Sequence, residues 1–447
     1  MSNLKAGFAR VNITPPMGIN LAGYYIKREA DHVLDDLYAV ATAISDGNST
    51  VVLLGLDAIY IAKDGTQKIR DFVSAELNLP PEAIFIGCSH PHTAPIFQYD
   101  HEKEIIKEYY KSTKLAVRDA AKFALDDLKD AKVGYGIGNA PRIAFSRRFR
   151  MKDGSVRTNP GVMNPDILES IGEVDERVSV VRFNRGDGDD IVLINFGCHP
   201  DTIGGTGVSA DWPGFAKRTV EAAIPGAKCI FFNGSQGDIN HVNVFPKPGE
   251  ENGLHKDFDD VDRGYLHARH MGNVVAGAVL QVFEKVCWCE NGDIKIGKSA
   301  IEVPANRPTP DEIPLATKYS TLHAEGKDAE IPYKGMQLTT VLADSARILR
   351  LKDGPDYFEI PVTALAIGDI ALIGIPGEPF CSVGIAIKAI ESRFGIIIPC
   401  ALTGGMFGYF PNTEAYNEGG YETATSNYKS GVAEVLTEKI ASLIKSL

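Results

Sequence analysis

Four side chains have the types and placement for metal-assisted chemistry. His90 and His92 flank Pro91 just beyond the apolar run Ile84-Phe85-Ile86. In extended backbone, residues two apart point the same way, so both imidazoles could face one cleft. His199-Pro200 follows the run Leu193-Ile194-Asn195-Phe196 in the same manner. Glu378 follows Leu372-Ile373-Gly374-Ile375 through Pro376-Gly377. Imidazole nitrogen and carboxylate oxygen ligate zinc, and a catalytic zinc commonly takes three protein ligands and keeps a position for water. Each residue alone also has an ordinary reading. A turn histidine can be satisfied by backbone groups, and Glu378 suits the first turn of a helix beginning near Phe380. Their common position at strand ends favours a joint site, because ligands of open α/β sheets collect at the carboxyl ends of strands.

Other candidates are weaker. Asn233 to Asp238 is Gly-rich and polar after Ile230-Phe231-Phe232, and could orient substrate or give backbone donors to an oxyanion. It lacks the Gly-Lys-Ser/Thr ending of a phosphate loop. Gly234-Ser235-Gln236-Gly237 is one residue short of a nucleophile elbow, so Ser235 is a poor nucleophile candidate. His267 and His270 share a helix face but lack a further ligand. Cys287-Trp288-Cys289 lacks the second pair that structural zinc needs. Asp211 and Asp238 could fix imidazole tautomers from behind, or simply cap loops.

The elements that must position these residues are legible as short apolar runs. Strands are predicted over Thr50–Leu56, Ala83–Gly87, Val178–Phe183, Ile191–Phe196, Lys228–Phe232, Ile360–Ile367 and Asp369–Ile375. Helices are predicted over Gly65–Leu77, Glu102–Leu128, Pro213–Ala223, Asp259–Lys285, Phe380–Phe394 and Asn427–Leu447. The alternation implies an α/β fold with a mixed, mostly parallel sheet flanked by helices. The expected organisation is one catalytic domain over 1–447. The Pro-rich, then amphipathic segment 305–352 is expected to be an inserted lid or subdomain. No internal repeat, low-complexity tract or flexible linker is evident.

Composition sets the outer bounds. The chain has 447 residues and a formal charge of -12, from 58 acidic and 46 basic residues. This balance disfavours nucleic acid or an anionic membrane surface as partner. No run of 18 apolar residues suggests a membrane span, and the N-terminus lacks the apolar core of a secretory signal. Seven scattered cysteines read as reduced thiols. The expected location is cytoplasmic and the expected partner a small-molecule substrate, with homo-oligomerisation left open.

The segment from Ser89 to Pro95, Ser-His-Pro-His-Thr-Ala-Pro, resembles the Thr-His-Thr-His-Ser-Gly-Pro segment of neutral/alkaline, non-lysosomal ceramidases. Val11 to Pro16 and Gly23-Tyr24 are similar to that family's opening. Phe196 to Pro200 and Ser209 to Ala216 resemble its His-Pro and Gly-Asp-x-x-Gly-Tyr-Ala segments. Gly237-Asp238, Pro376-Gly377-Glu378 and Gly408-Tyr409, with Glu414, Tyr416, Tyr421 and Glu422 beyond, continue the match in order. The resemblance implies a zinc site of His90, His199, Glu378 and Tyr409. It also implies that His92 lies beside the reacting carbonyl off the metal, and that Arg147 binds substrate. Tyr409 would stabilise the oxyanion as well as the metal. The implied activity is zinc-dependent hydrolysis of an amide (N-acyl) bond by metal-activated water. An ester or lactone hydrolase acting on a carbohydrate-derived substrate, or a non-catalytic binding protein on the same fold, are the alternatives. Secreted ceramidases add a signal sequence and a C-terminal β-sandwich that are not found in this sequence, so a smaller, more soluble substrate than ceramide is expected.

Overall fold

The computed structural model describes residues 3–95, 97–98, 101–186, 189–250, 255–256 and 261–447. Its first strands are β1 (Lys5–Asn12), β2 (Tyr38–Ser45), β3 (Thr50–Leu56) and β4 (Ile84–Cys88), ordered β4-β3-β2-β1. The β1–β2 and β2–β3 pairs are antiparallel. The β3–β4 pair is parallel, as it must be when helix α1 (Lys63–Leu77) carries the chain back between them. Helix α2 (Glu104–Asp126) follows and packs on β1 and β2.

This plan occurs three times. The second sheet has β5 (Lys132–Asn139), β6 (Arg177–Asn184), β7 (Asp190–Phe196) and β8 (Lys228–Asn233), again in reverse chain order. Only β7–β8 is parallel, joined through α3 (Asp211–Ala223); α4 (Tyr265–Val282) then covers β5. The third sheet has β9 (Ile294–Pro304), β10 (Tyr357–Ile367), β11 (Ile370–Gly374) and β12 (Ile396–Cys400). Helices α5 (Ile313–Ala324) and α6 (Gly335–Leu351) lie between β9 and β10. Helix α7 (Cys381–Lys388) joins the parallel pair β11–β12, and α8 (Val432–Lys445) closes against β9.

Burial on both faces explains the near-continuous apolar runs. Alternate residues of the inner strands face a shared centre: Val51 and Leu53 of β3, Ile191 and Leu193 of β7, Ile370 and Leu372 of β11. Their neighbours face the helices. Val52 and Leu54 meet α1 and α2, Val192 and Ile194 meet α3 and α4, and Ala371 and Ile373 meet α7 and α8. Three sheets therefore surround one core, with helices outside.

The α/β class is as the alternation implies, but most strand pairs are antiparallel. The sequence reading missed β1, β2, β5, β9 and β12, and with them four of the six antiparallel pairs. Helix limits also differ. Helix α7 spans Cys381–Lys388 rather than reaching Phe394, and α8 begins at Val432. Part of the expected start of α4, residues 259–260, lies outside the described residues.

Candidate metal centre

His90 leaves β4 with φ of 72°, a left-handed conformation uncommon for a residue other than glycine. The loop after β3 holds it in place. Its backbone N–H donates to Ala58 O at 3.0 Å, and its Nδ1 lies 2.6 Å from Ile59 O. His199 leaves β7 and is held by the loop after β8. Its N–H donates to Ile239 O, and its Nδ1 lies 2.9 Å from Gln236 O and 3.0 Å from Ile239 O. A ring nitrogen facing a carbonyl carries the proton, so each Nε2 keeps its lone pair.

Both Nε2 atoms point at one carboxylate oxygen. Glu378 Oε2, from the loop after β11, lies 3.6 Å from His90 Nε2 and 2.9 Å from His199 Nε2. All three side chains are buried. His199 Nε2 and Glu378 Oε2 have no hydrogen-bond partner. Buried polar atoms are seldom left this way, and lone pairs facing each other at this range need a cation between them. One nitrogen each from His90, His92 and His199 also lie within 4.8 Å of one another. The residues thus fit a metal ion. Burial would raise the Glu378 carboxyl, but His90, His199 and Arg147 outweigh it and hold it at about 2. It is therefore an anion at neutral pH.

Tyr409 is Glu378's register partner in a two-residue parallel ladder, Glu378–Pro379 against Tyr409–Phe410. Its hydroxyl accepts a hydrogen bond from Arg147 Nη2 at 3.2 Å. Arg147 is buried; its Nε donates to Glu422 at 2.6 Å and Nη2 to Gly237 O at 2.7 Å. Burial and the Glu378 charge raise the Tyr409 phenol well above its usual value.

His92 stands beside this group, its ring centroid 5.0 Å from His90 and 5.8 Å from His199. Its Nδ1 is 3.5 Å from Asp201 Oδ1. Asp201 also accepts from Tyr24 OH and pairs with Arg263 at 2.8 Å. Burial would raise the Asp201 carboxyl, but Arg263, His92 and His241 hold it below the usual range. Arg28 donates to His92 O at 2.6 Å. The sequence reading missed Asp201, Arg263 and Arg28. A carboxylate two residues after His199 was the available signal.

Other expectations change. The imidazole tautomers are set by backbone carbonyls, not by Asp211 or Asp238. Asp211 accepts from the N–H groups of Thr202, Ile203 and Trp212, and Asp238 from that of Cys381. Ser235 packs against Gly384 of α7. His267 lies 5.9 Å from His241 and 6.0 Å from His270, ring to ring, outside the cluster of His90, His92 and His199. All seven cysteines are free thiols.

A cavity of about 690 Å³ lies between the Val156–Thr158 strand, the start of α6 and Tyr421. The Tyr421 ring is 5.9 Å from that of Tyr409, and none of His90, His199, Glu378 and Tyr409 lines the cavity. No described helix is long and apolar enough to cross a membrane.

No protein-family model and no curated protein matches the sequence. Solved structures do. Neutral ceramidase from Pseudomonas aeruginosa superposes with a TM-score of 0.74 at 16% identity, over 99% of this chain and 74% of that one. The chain is ceramidase-like in fold. A ceramidase complexed with C2 gives a TM-score of 0.72 at 15% identity, over 99% of this chain and 75% of that one. The ceramidase-like fold accords with the motif resemblance, whose matching segments are spread along the chain in order.

Proposed function

We propose that this protein is a zinc-dependent hydrolase that cleaves an amide (N-acyl) bond. The observation carrying this reading is the convergence of His90, His199 and Glu378, with orphaned buried atoms on the latter two, at the strand ends of three sheets. Both structural neighbours are named ceramidases, which cleave an amide. Two imidazoles, a carboxylate and the phenol of Tyr409 form a nitrogen and oxygen donor set suited to zinc. When bound, zinc polarises an acyl oxygen and lowers the pKa of water to about 7.

The protein's own groups do the rest. His92 lies beside the centre with Asp201 behind its Nδ1, placed to exchange a proton with the attacking water or the leaving amine. Arg147 holds the Tyr409 hydroxyl, and the two face developing negative charge on the acyl oxygen. Burial of His90, His199 and Glu378 keeps bulk water out and strengthens these interactions. The substrate is a small molecule that carries an acyl group on nitrogen.

The test is a hydrolysis screen of matched N-acyl, O-acyl and lactone compounds with purified protein. The expected result is turnover of N-acyl members at the highest kcat/KM. Turnover confined to esters or lactones would move the assignment to those bonds, and no turnover of any member would refute it.

A further inference from the structure

His92 is held differently from the two histidines beside it. Backbone carbonyls fix the rings of His90 and His199, whereas neither ring nitrogen of His92 has a hydrogen-bond partner, though both are buried. A ring without such a bond is aimed by what packs on it. Gly23, at φ of 99°, lies against this one: a Cβ there would meet His92 Nδ1 at 2.6 Å and Cγ at 2.7 Å. The Tyr24 ring comes next, its centroid 5.3 Å from that of His92. Arg28 ties the segment down, donating through Nη2 to His92 O and Ala22 O, each at 2.6 Å, and through Nη1 to Gly205 O at 2.8 Å.

The Tyr24 hydroxyl donates to Asp201 Oδ1. Arg263 Nη1 lies 2.8 Å from the same oxygen and donates to Asp201 O at 2.6 Å. A carboxylate oxygen offers about two lone-pair sites, so Tyr24 and Arg263 occupy those of Oδ1. His92 Nδ1 is left 3.5 Å away, outside the usual N–H···O range of about 2.7–3.2 Å. The guanidinium carbons of Arg28 and Arg263 lie 4.0 and 4.8 Å from the Tyr24 ring centroid, within cation–π range, and hold the phenol in place.

We propose that Tyr24 is a positioning residue for the reaction: its hydroxyl holds Asp201 Oδ1, and thereby sets the orientation in which His92 meets the reacting group. This rests on the hydrolase reading. Without the hydroxyl, Oδ1 regains a free lone pair and draws His92 Nδ1 toward Asp201, turning the ring. His90 and His199 are aimed by carbonyls instead, so metal binding does not depend on Tyr24.

The test is Tyr24→Phe, which keeps the ring beside the two guanidiniums and removes only the hydroxyl. Nitrogen NMR of the full, zinc-loaded chain labelled at histidine gives the first readout, with the His92 signals assigned by their loss in His92→Phe. They should shift in Tyr24→Phe more than those of any other histidine. Hydrolysis of the N-acyl compound turned over best gives the second. The kcat should fall at least about tenfold, a part of what general acid–base catalysis supplies, with KM and zinc content unchanged. In an Asp201→Asn background the same substitution should cost less than about a further twofold, because the two groups act as one unit. Unmoved His92 signals, parental kcat, zinc lost with activity, or a full additive loss in the double variant would each overturn the proposal. A parent without turnover would count against the hydrolase reading alone, since the His92 signals still report whether Tyr24 orients the ring.

Discussion

The rings of His90 and His199 are aimed by main-chain carbonyls of neighbouring loops, Ile59 for one and Gln236 with Ile239 for the other. That arrangement was not legible in the sequence, because a carbonyl leaves no mark in side-chain identity. The histidines themselves were legible, since each follows an apolar run directly. Tyr409 was reached only through the family resemblance. Its position depends on a two-residue ladder with Glu378 that no periodicity reveals. Asp238 does different work from that expected. It accepts from the N–H of Cys381 at the start of α7, and burial pushes its carboxyl up to about 6. Its unfolded value is about 3.9. Between about pH 4 and pH 6 the unfolded chain therefore loses this proton before the folded chain does, and stability falls as pH rises. The shift of about two units corresponds to about 3 kcal/mol. Asp238→Asn removes that dependence. Urea unfolding at pH 4 and pH 7 should show the wild-type-minus-variant stability falling by about 2 kcal/mol, since the unfolded carboxyl is already half ionised at pH 4; a difference unchanged with pH would contradict this.

At the scale of elements, three of the five strands missed by sequence reading share a cause, which does not extend to β2 and β12. β1, β5 and β9 each open a sheet, and each carries glycine where a helix lies directly against it. A Cβ on Gly7 would meet Ala124 O of α2 at 2.0 Å, and one on Gly138 would meet Ala278 O of α4 at 2.1 Å. One on Gly297 would meet Leu443 of α8 at 2.9 Å. Glycine lowers apparent strand propensity while permitting this approach, so a packing requirement hid the strands. The inner strands, β3, β7 and β11, face apolar layers on both sides and were read correctly. Gly138→Val should force α4 away from β5 and cost about 3 kcal/mol, measured as a lower urea midpoint with unchanged slope. A variant as stable as the parent would show that the helix is not tightly packed there.

At the scale of the molecule, the three units meet where the chemistry is placed. His90 comes from the end of the first sheet, His199 from the second and Glu378 from the third. The long connection between the first two strands of each unit adds Tyr24 and Arg28, then Arg147, then α5 and α6. The sequence showed no repeat because the units share topology and packing, not residues. A cation held by all three sheets should stabilise the whole chain. At free zinc about a thousandfold above its Kd, the gain is about 4 kcal/mol. Chelation should therefore lower the thermal midpoint, and zinc should restore it; superimposable melting curves would argue against a shared centre. The most direct test is metal analysis of the purified protein alongside His199→Ala and Glu378→Gln. About one zinc ion per chain is expected in the parent, lost in both variants together with hydrolysis. A folded parent that binds no metal, and whose hydrolysis persists under chelator, would contradict it.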